Sequence, residues 1–485
     1  MSLNQDGTFS SLAPPLNEAC SPPTNLSIAQ FMLDSTHPLR PIRDANSPWL
    51  IEDETGRAIG YEEVRARTWG LANGMRRRWP HIVEDDVGWL ALAGLHGVGS
   101  GFCKVIRGEA ISSRENKTKV AFYSFSSGTT GKPKAVAIPH HAVIANVIQN
   151  AAFVRLNDPD LPSDLARYRR GDVNLGVLPM FHIYGLVMVT HFGLFAGLPL
   201  VVIPQFNFVE MLKSIVKYRI THLSLVPPQI VLFCKHPATK NYDFSHCHFA
   251  LVGAAPVSPE LTAQFRQVMP NLGFGQAYGM TETGKPIGPW HSLLSSLSLL
   301  WSTPKPAGCL EVGQLINSTT AKVVKPDGTL AGYDEPGELV VAGPQMTLRY
   351  ENNEAATKET YVDGWVHTGD EVVIKKSGDV LIVDRLKELI KVRGFQVAPA
   401  ELEGHLLDHP FVDDVGVIGL PDDYSGEVPL AFVALSPDAK KSGLSDIAMK
   451  NKLTKASLAN HSQMIPKFDL CIRSLYQIRR LITNG

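Results

Sequence analysis

Nine residues, Ser126-Ser127-Gly128-Thr129-Thr130-Gly131-Lys132-Pro133-Lys134, bring together four hydroxyls, two glycines and two lysines. Glycines leave backbone N–H groups open to close approach, and hydroxyl and ammonium donors add to them. The stretch therefore reads as a cradle for phosphate. It is not the common nucleotide P-loop, which needs four residues between its glycines and a Ser or Thr after Gly-Lys. Here two residues separate Gly128 from Gly131, and Pro133 follows Lys132. A flexible Gly/Ser/Thr linker is the plain alternative. Lys-Pro-Lys between two apolar runs argues against it.

Five further patches stand out for their chemistry. Gly275-Gln276-Ala277-Tyr278-Gly279-Met280-Thr281-Glu282 offers glycines for close backbone approach, an aromatic for stacking, a hydroxyl for a phosphate oxygen and a carboxylate for magnesium. Trp365-Val366-His367-Thr368-Gly369-Asp370 reads as an acid on a tight turn, suited to accept two ribose hydroxyls. Asp384 to Glu388 and Lys391 to Gln396 place charges on either side of a possible hinge. Met180 to Tyr184 holds a His and a Tyr in an apolar run. Taken singly, each has a bland reading as a turn, a surface ion pair or core packing.

The elements that must position these residues are mostly alternating strands and helices. Val120 to Tyr123 and Ala135 to Ile138 read as strands that hold the phosphate cradle between them, with Pro139 closing the second. From Asp172 onward, short apolar strands (Val173–Leu178, Pro199–Ile203, Thr221–Val226, His248–Val252) alternate with helical patterns. Phe208 to Tyr218 is one of these, with Val209, Leu212, Ile215 and Val216 on one face. Such alternation predicts a mostly parallel sheet with helices packed on it. Gly313 to Val341 instead reads as short strands around an Asp327-Gly328 turn, a small β unit. From about Arg385 the pattern is that of a small α+β domain, with Leu402 and Leu406 four apart on a helix. The division is residues 1–48 as a loose, proline-rich leader, 49–384 as a nucleotide-binding domain and 385–485 as a smaller mobile domain with an atypical end. Residues 86–119 do not read as a complete strand–helix unit, so the large domain is incomplete ahead of the phosphate cradle.

Composition sets the outer bounds. The 485 residues are 44% hydrophobic and 19% charged, ordinary for a globular protein of two to four compact units. A net charge of −1 gives no reason to expect nucleic acid or an anionic membrane surface as a partner. The six cysteines are scattered without a C-x-x-C pair, as in reduced thiols rather than a disulfide frame or zinc site. Arg76-Arg77-Arg78 ends a predicted helix, where cations suit the dipole. Leu293 to Trp301 is too short to span a bilayer. Met1 to Asn25 lacks a basic-then-apolar signal pattern, and the chain ends Thr-Asn-Gly rather than Ser-Lys-Leu. The expected compartment is the cytoplasm.

In this order the patches are specific. SSGTTGKPK (126–134), PMFHIYG (179–185), GAAP (253–256), GQAYGMTE (275–282), GELVVAGP (337–344), WVHTGD (365–370), DRLKELIKVRGFQVAPAELE (384–403) and PDDYSGEVPLAFV (421–433) resemble the acyl-adenylate-forming superfamily. The likeness is closest to the 4-coumarate–CoA ligase-like acyl-CoA synthetases and runs from about Phe122 to Leu435. It implies the adenylate-forming fold and a two-step reaction. A carboxylate attacks the α-phosphate of Mg-ATP, and the thiol of coenzyme A then displaces AMP after the C-terminal domain has swung about a hinge. The resemblance assigns Ser126, Ser127, Gly128, Thr129, Thr130, Gly131, Lys132 and Lys134 to the β- and γ-phosphates. Gly253, Ala254, Gln276, Ala277, Tyr278 and Gly279 would flank the adenine and the acyl group. Thr281 and Glu282 would serve the phosphate and Mg2+, and Asp370 and Arg385 the ribose. His182 and Tyr184 would line and gate the acyl pocket. Lys387 is the hinge position, and Lys391 and Gln396 belong to the thioester-forming face.

The chain departs from that pattern at identifiable places. The family ends with a Pro-Lys-x-x-x-Gly-Lys segment whose last lysine bridges carboxylate and α-phosphate. Here Ile472 occupies that position counting from Lys467, and Gln477 counting back from Ile478. Losing one such electrostatic stabiliser typically costs on the order of 10²–10³ in rate, so adenylation is expected to be slow. Several dozen residues are missing between Val87 and the phosphate cradle, which should leave a sheet edge or face bare. Ala277 stands where glycine is usual, Asn317-Ser318 replaces Pro-Gly, and His291 to Thr303 looks foreign. Alternatives to an acyl- or aryl-CoA ligase are a relative that binds nucleotide without turnover, an adenylation domain serving a carrier protein, and luciferase-like oxidation of the adenylate.

Overall fold

A computed structural model describes residues 1–44, 46–78, 115–126, 134–162, 165–254, 257, 259–283 and 310–386, and most of 390–458 together with 469–472. The residues outside these ranges include Ser127 to Pro133, Lys387 and the segments 79–114 and 284–309. The expectations for the centre of the phosphate cradle, the hinge lysine, the missing unit before it and the foreign segment therefore lie outside the described residues.

The α/β alternation forms as expected. Gly273–Gln276, Phe249–Val252, His222–Leu225, Asn174–Gly176, Leu200–Val202 and Leu50–Glu52 lie side by side and parallel in a seven-stranded sheet, with Ala58–Ile59 antiparallel at its edge. The helix Phe208–Lys217 shows why such elements form and pack. Asn207 accepts the N–H of Glu210 at 3.1 Å, a cap worth about 1 kcal/mol. Glu210 and Lys217 suit the two ends of the dipole, and Phe208, Met211, Leu212 and Ile215 fall on one buried face.

The helix His140–Phe153 is different. Residues 140–151 are all buried, as required of a helix in the interior rather than on the surface. It leaves directly from the second strand of an antiparallel hairpin, Val120–Ser126 with Lys134–Pro139, in which Ser126 pairs with Lys134. Gln149 on this helix donates to the Asn317 carbonyl at 2.7 Å and to Gln345 Oε1 at 3.0 Å, which ties the α/β part to the β unit.

The β unit is an eight-stranded antiparallel sheet that includes Thr320–Val324, Pro336–Ala342, Trp365–Ile374 and Val380–Arg385. The Asp327-Gly328 turn is present, with Gly328 at φ +83° where a side chain would be strained. Ser318, in the segment that replaces Pro-Gly, also sits at positive φ (+59°), a position glycine would occupy without strain. The last domain is built on a five-stranded sheet. Pro399–Leu407 packs on it through Leu402 and Leu406, with Met449 and Leu453 of Asp446–Leu458 in the same core.

Residues 1–48 are not a loose leader. Phe9 is fully buried in the core of the β unit, where Phe9–Ser10 pairs with Thr320 and Ala321. Ile28–Leu33 is a helix with five of its six residues buried. A reciprocal cap opens it: Ser27 Oγ accepts from Gln30 N–H at 3.2 Å, and Gln30 Oε1 accepts from Ser27 N–H at 2.9 Å. The prolines around these pieces break the periodicity but not the packing. Arg385 also differs from its expected place, since it ends a strand of the β unit.

Candidate active site

The site is assembled around the loop that follows Gly273–Gln276, at the C-terminal end of the parallel sheet. Ala277 N–H donates to the Val252 carbonyl at 2.8 Å, which continues the strand pairing into the loop and buries the Ala277 methyl. The Gln276 amide does not reach outward. Its Oε1 accepts from Val257 N–H at 3.2 Å and its Nε2 donates to the Val257 carbonyl at 3.4 Å, so it braces the turn after Phe249–Val252. That turn begins at Gly253, and Ala254 adopts φ +76°, a conformation costly for any residue with a Cβ.

Beyond Ala277 the loop is held at two points by the β unit. At the first, the Tyr278 hydroxyl donates to Asp370 Oδ2, and Arg385 Nε lies 3.6 Å from Asp370 Oδ1. Asp370 and Arg385 are direct partners across two antiparallel strands. Asp370 is therefore not on a free turn, as its sequence suggests. It lies inside the strand Trp365–Ile374, one residue after Gly369, whose φ of +72° bends the strand there. The carboxylate is buried while the Arg385 side chain is half exposed, so their ion pair is worth less than about 1 kcal/mol. Burial, then the Asp370 carboxylate, pushes the Tyr278 hydroxyl well above its ordinary pKa, and it stays a donor at any physiological pH.

At the second point, the Tyr350 hydroxyl donates to Glu282 Oε1 at 2.6 Å, and both residues are buried. Burial, then Glu282, likewise raises the Tyr350 hydroxyl. The Glu282 carbonyl accepts from both the N–H and the Oγ1 of Thr347, at 3.2 and 2.7 Å, and Thr347 Oγ1 lies 2.7 Å from the Tyr361 hydroxyl. Tyr350 belongs to a two-residue strand paired with Val136 and Ala137 of the hairpin. Lys134 Nζ, the last residue of the expected phosphate cradle, sits 4.9 Å from the centre of the Tyr350 ring. One tyrosine thus joins the cradle to the buried carboxylate. Sequence reasoning did not single out Tyr350, Tyr361 or Thr347. The Arg349-Tyr350 pair carries no local motif, and only the strand pairing reveals its role.

Thr281 is buried beside Glu282. Glu282 and the neighbouring hydroxyls are hard oxygen donors of the kind magnesium takes. Among the described residues, no group of three or more His, Cys, Asp or Glu side chains could hold a metal by itself. A single carboxylate fits an ion that is otherwise held by substrate phosphates and water.

The expected acyl-pocket residues are only partly brought together. Tyr184 is packed in the interior rather than set on a cavity wall of the kind expected for it. Its ring is in the main core and its hydroxyl donates to the Leu251 carbonyl at 2.8 Å. His182, half-buried, accepts Tyr184 N–H through Nδ1 at 3.2 Å and helps start the wide helical turn Tyr184–Phe192. A cavity of about 560 Å³ opens at the C-terminal ends of Asn174–Gly176 and Leu200–Val202, between Leu178, Met180, Phe181 and Phe206. None of His182, Tyr184, Gly253, Ala254, Ala277 or Gly279 is in its wall. The hairpin meets the rim of this cavity, since Ser124 Oγ donates to the Phe181 carbonyl at 3.1 Å.

In the last domain, Lys391 and Gln396 are direct partners across the antiparallel pair Ile390–Val392 and Phe395–Val397. Ile472 belongs to Asp469–Ile472, a strand parallel to Gly426–Leu435, and packs against the domain core. This strand follows Lys467 in the chain, so counting forward from Lys467 lands inside it. No lysine follows Lys467 in the sequence.

Residues 99–351 match the AMP-binding enzyme family and residues 401–478 match the AMP-binding enzyme C-terminal domain. The chain belongs to the AMP-binding enzymes. Among its relatives in this family, 4-coumarate–CoA ligase 2 of Oryza sativa subsp. japonica is 40% identical over 317 residues, 65% of this chain and 53% of that protein. 4-Coumarate–CoA ligase 1 of Arabidopsis thaliana is 40% identical over 337 residues, 69% of this chain and 57% of that protein. The chain spans little more than half the length of these relatives. Among solved structures of AMP-binding enzymes, O-succinylbenzoate coenzyme A synthetase from Bacillus subtilis, in complex with ATP and magnesium, superposes with a TM-score of 0.59 at 27% identity. That match covers 77% of this chain and 70% of the other. ATP-bound MatB from Rhodopseudomonas palustris gives a TM-score of 0.70 at 19% identity over 95% of this chain and 99% of the other, a likeness of fold alone. No helix among the described residues is long and apolar enough to cross a membrane.

Proposed function

We propose that the chain activates a carboxylic acid with ATP as the acyl adenylate and transfers the acyl group to the thiol of coenzyme A, as an acyl- or aryl-CoA ligase of the cytoplasm. The observation that carries this reading is the double anchoring of one loop, Tyr278 to Asp370 and Glu282 to Tyr350, beside the hairpin that bears Ser126 and Lys134. In this reading Asp370 accepts the ribose hydroxyls, and Tyr278 fixes the carboxylate for that task. Ser126 to Lys134 donate to the phosphates, and Thr281 adds a hydroxyl. Glu282 would hold magnesium, which neutralises phosphate oxygens when bound. The family resemblance and the 40% identity to 4-coumarate–CoA ligases support an aromatic or acyl acid as substrate. Arg385, beside Asp370, would share the ribose, Lys387 would be the hinge to the last domain, and the Lys391–Gln396 pair there would face the thioester-forming step.

One observation favours a slow enzyme. Neither Ile472 nor Gln477, the two positions to which the bridging lysine counts, is a lysine, and a bridge missing there would remove about 3–4 kcal/mol of transition-state stabilisation by analogy with a single oxyanion donor. AMP binding, ATP–pyrophosphate exchange and thioester formation, measured on one preparation with a panel of cinnamic, benzoic and medium-chain acids, test both statements. The expected result is micromolar AMP binding with weak, acid-dependent exchange. Absence of AMP binding in a folded preparation would overturn the reading, and exchange at an ordinary enzyme rate would overturn the claim of slowness.

A further inference from the structure

The strand that carries Asp370 does not pair regularly with its neighbour. His367 stands opposite Val340 and Glu371 opposite Glu338, so Thr368, Gly369 and Asp370 together face Leu339 alone. This bulge turns the chain at Gly369 and brings Asp370 to the Tyr278 hydroxyl. We propose that Glu338 is the positioning residue of this site: its carboxylate clamps the bulge and so sets Asp370 for the two ribose hydroxyls. The inference rests on the reading that Asp370 accepts those hydroxyls.

A bulge takes backbone groups out of the sheet ladder, and each then needs another partner. Here side chains supply them. Glu338 Oε1 accepts the Gly369 N–H at 3.1 Å, and Glu338 Oε2 lies 3.0 Å from His367 Nδ1. One carboxylate thus grips both the last regularly paired residue and the bend. Thr368 Oγ1 donates to the Leu339 carbonyl at 2.7 Å and accepts the Asp370 N–H at 3.2 Å. The Gly369 carbonyl accepts the Leu386 N–H at 2.8 Å. Of these contacts, the one from Gly369 N–H to Glu338 has a charged acceptor, which strengthens it. It also falls on the residue whose φ of +72° makes the bend.

The clamp is itself held in place. Gly337 lies so close to the strand Thr320–Val324 that a Cβ there would come within 2.6 Å of the Val324 carbonyl. Leu339, on the other side, is fully buried in the core of the β unit. Between them the Glu338 side chain is only 22% exposed, so water competes poorly for its oxygens. Strand pairing does not favour a carboxylate at this position. Its cross-strand neighbour is Glu371, and like charges placed opposite one another weaken a sheet. What Glu338 holds accounts for its being there.

Equilibrium dialysis of the full chain with AMP and with 2′,3′-dideoxy-AMP tests the proposal, because only AMP carries the two hydroxyls. The parent should prefer AMP roughly tenfold or more, as expected of hydrogen bonds to a charged group. Glu338→Ala should lose most of that preference while binding dideoxy-AMP as the parent does. Glu338→Gln, which keeps an acceptor for the Gly369 N–H, should retain it. An unchanged preference in Glu338→Ala, an equal loss of affinity for both nucleotides, or a Gln variant as impaired as the Ala variant would each overturn the proposal. Asp370→Asn distinguishes this failure from that of the ribose reading. A preference abolished by Asp370→Asn but kept in Glu338→Ala removes Glu338 alone, whereas a parent that does not discriminate removes both. Should Glu338→Ala not melt cooperatively, Glu338→Asp, one methylene short of the Gly369 N–H, repeats the test with the same expected loss.

Discussion

Replacing Tyr350 by Phe removes one hydroxyl and nothing else from the centre of the site. The ring stays, and with it the packing of Lys134 Nζ at 4.9 Å. The strand pairing to Val136 stays too, because it is made by the backbone. What is lost is a 2.6 Å donation to Glu282 Oε1 between two residues that are 5% and 4% exposed. A hydrogen bond to a charged acceptor is worth roughly 1.5–3 kcal/mol, and here the acceptor remains buried without this donor, so about 2 kcal/mol of unfolding free energy should go. Tyr361→Phe is the internal reference. Its hydroxyl meets the neutral Thr347 Oγ1 at 2.7 Å, for which about 1 kcal/mol is expected. Urea unfolding followed by fluorescence should place the midpoints in the order parent, Tyr361→Phe, Tyr350→Phe, with unchanged slopes. Affinity for Mg-ATP should fall with the Tyr350 change and hardly move with the other. A Tyr350→Phe midpoint equal to that of the parent would refute the argument, since it would mean that the tyrosine does not hold the carboxylate.

Three further outcomes are expected. Burial lowers His140, His141, His191 and His222 to about 4 from an ordinary 6.5. The unfolded chain then binds more protons between those values, so stability should fall as pH drops from 6.5 toward 4. The slope approaches about 1.4 kcal/mol per pH unit for each group, and a midpoint flat from pH 7 to pH 5 would contradict it. Asp370→Asn should weaken AMP binding at least tenfold in equilibrium dialysis, and unchanged affinity would remove Asp370 from the ribose role. Gln477→Lys should raise ATP–pyrophosphate exchange at least tenfold. No increase would show that the position counted back from Ile478 is not that of the bridging lysine.

How legible the molecule was depends on whether a property is local. Phe208–Lys217 announces itself through one apolar face and an Asn cap, and the phosphate hairpin through two apolar runs around a hydroxyl-rich loop. Ile28–Leu33 was hidden because six residues between prolines are too few for a period, although its Ser27–Gln30 cap was readable. Asp370 read as a turn residue because Gly369 precedes it. Gly369 is instead a bend within a ten-residue strand. Tyr184 looked like a pocket residue until its hydroxyl was found on the Leu251 carbonyl, a partner 67 residues away. Tyr350 depends wholly on distant pairings, to Val136 and to Glu282, which no window of sequence displays.

The anchoring of the Tyr278–Glu282 loop also bears on how the protein is made. Glu282 waits for Tyr350, 68 residues later, and Tyr278 waits for Asp370, 92 residues later. During synthesis at roughly 5–20 residues per second, the parallel sheet can assemble several seconds before the residues that hold its Tyr278–Glu282 loop have been translated. The nascent chain thus passes through an interval in which a buried carboxylate and a strained Ala254 turn lack their final supports. A chain stalled before Asp370 would contain the whole parallel sheet and still lack the Tyr278 anchor of the loop at its end.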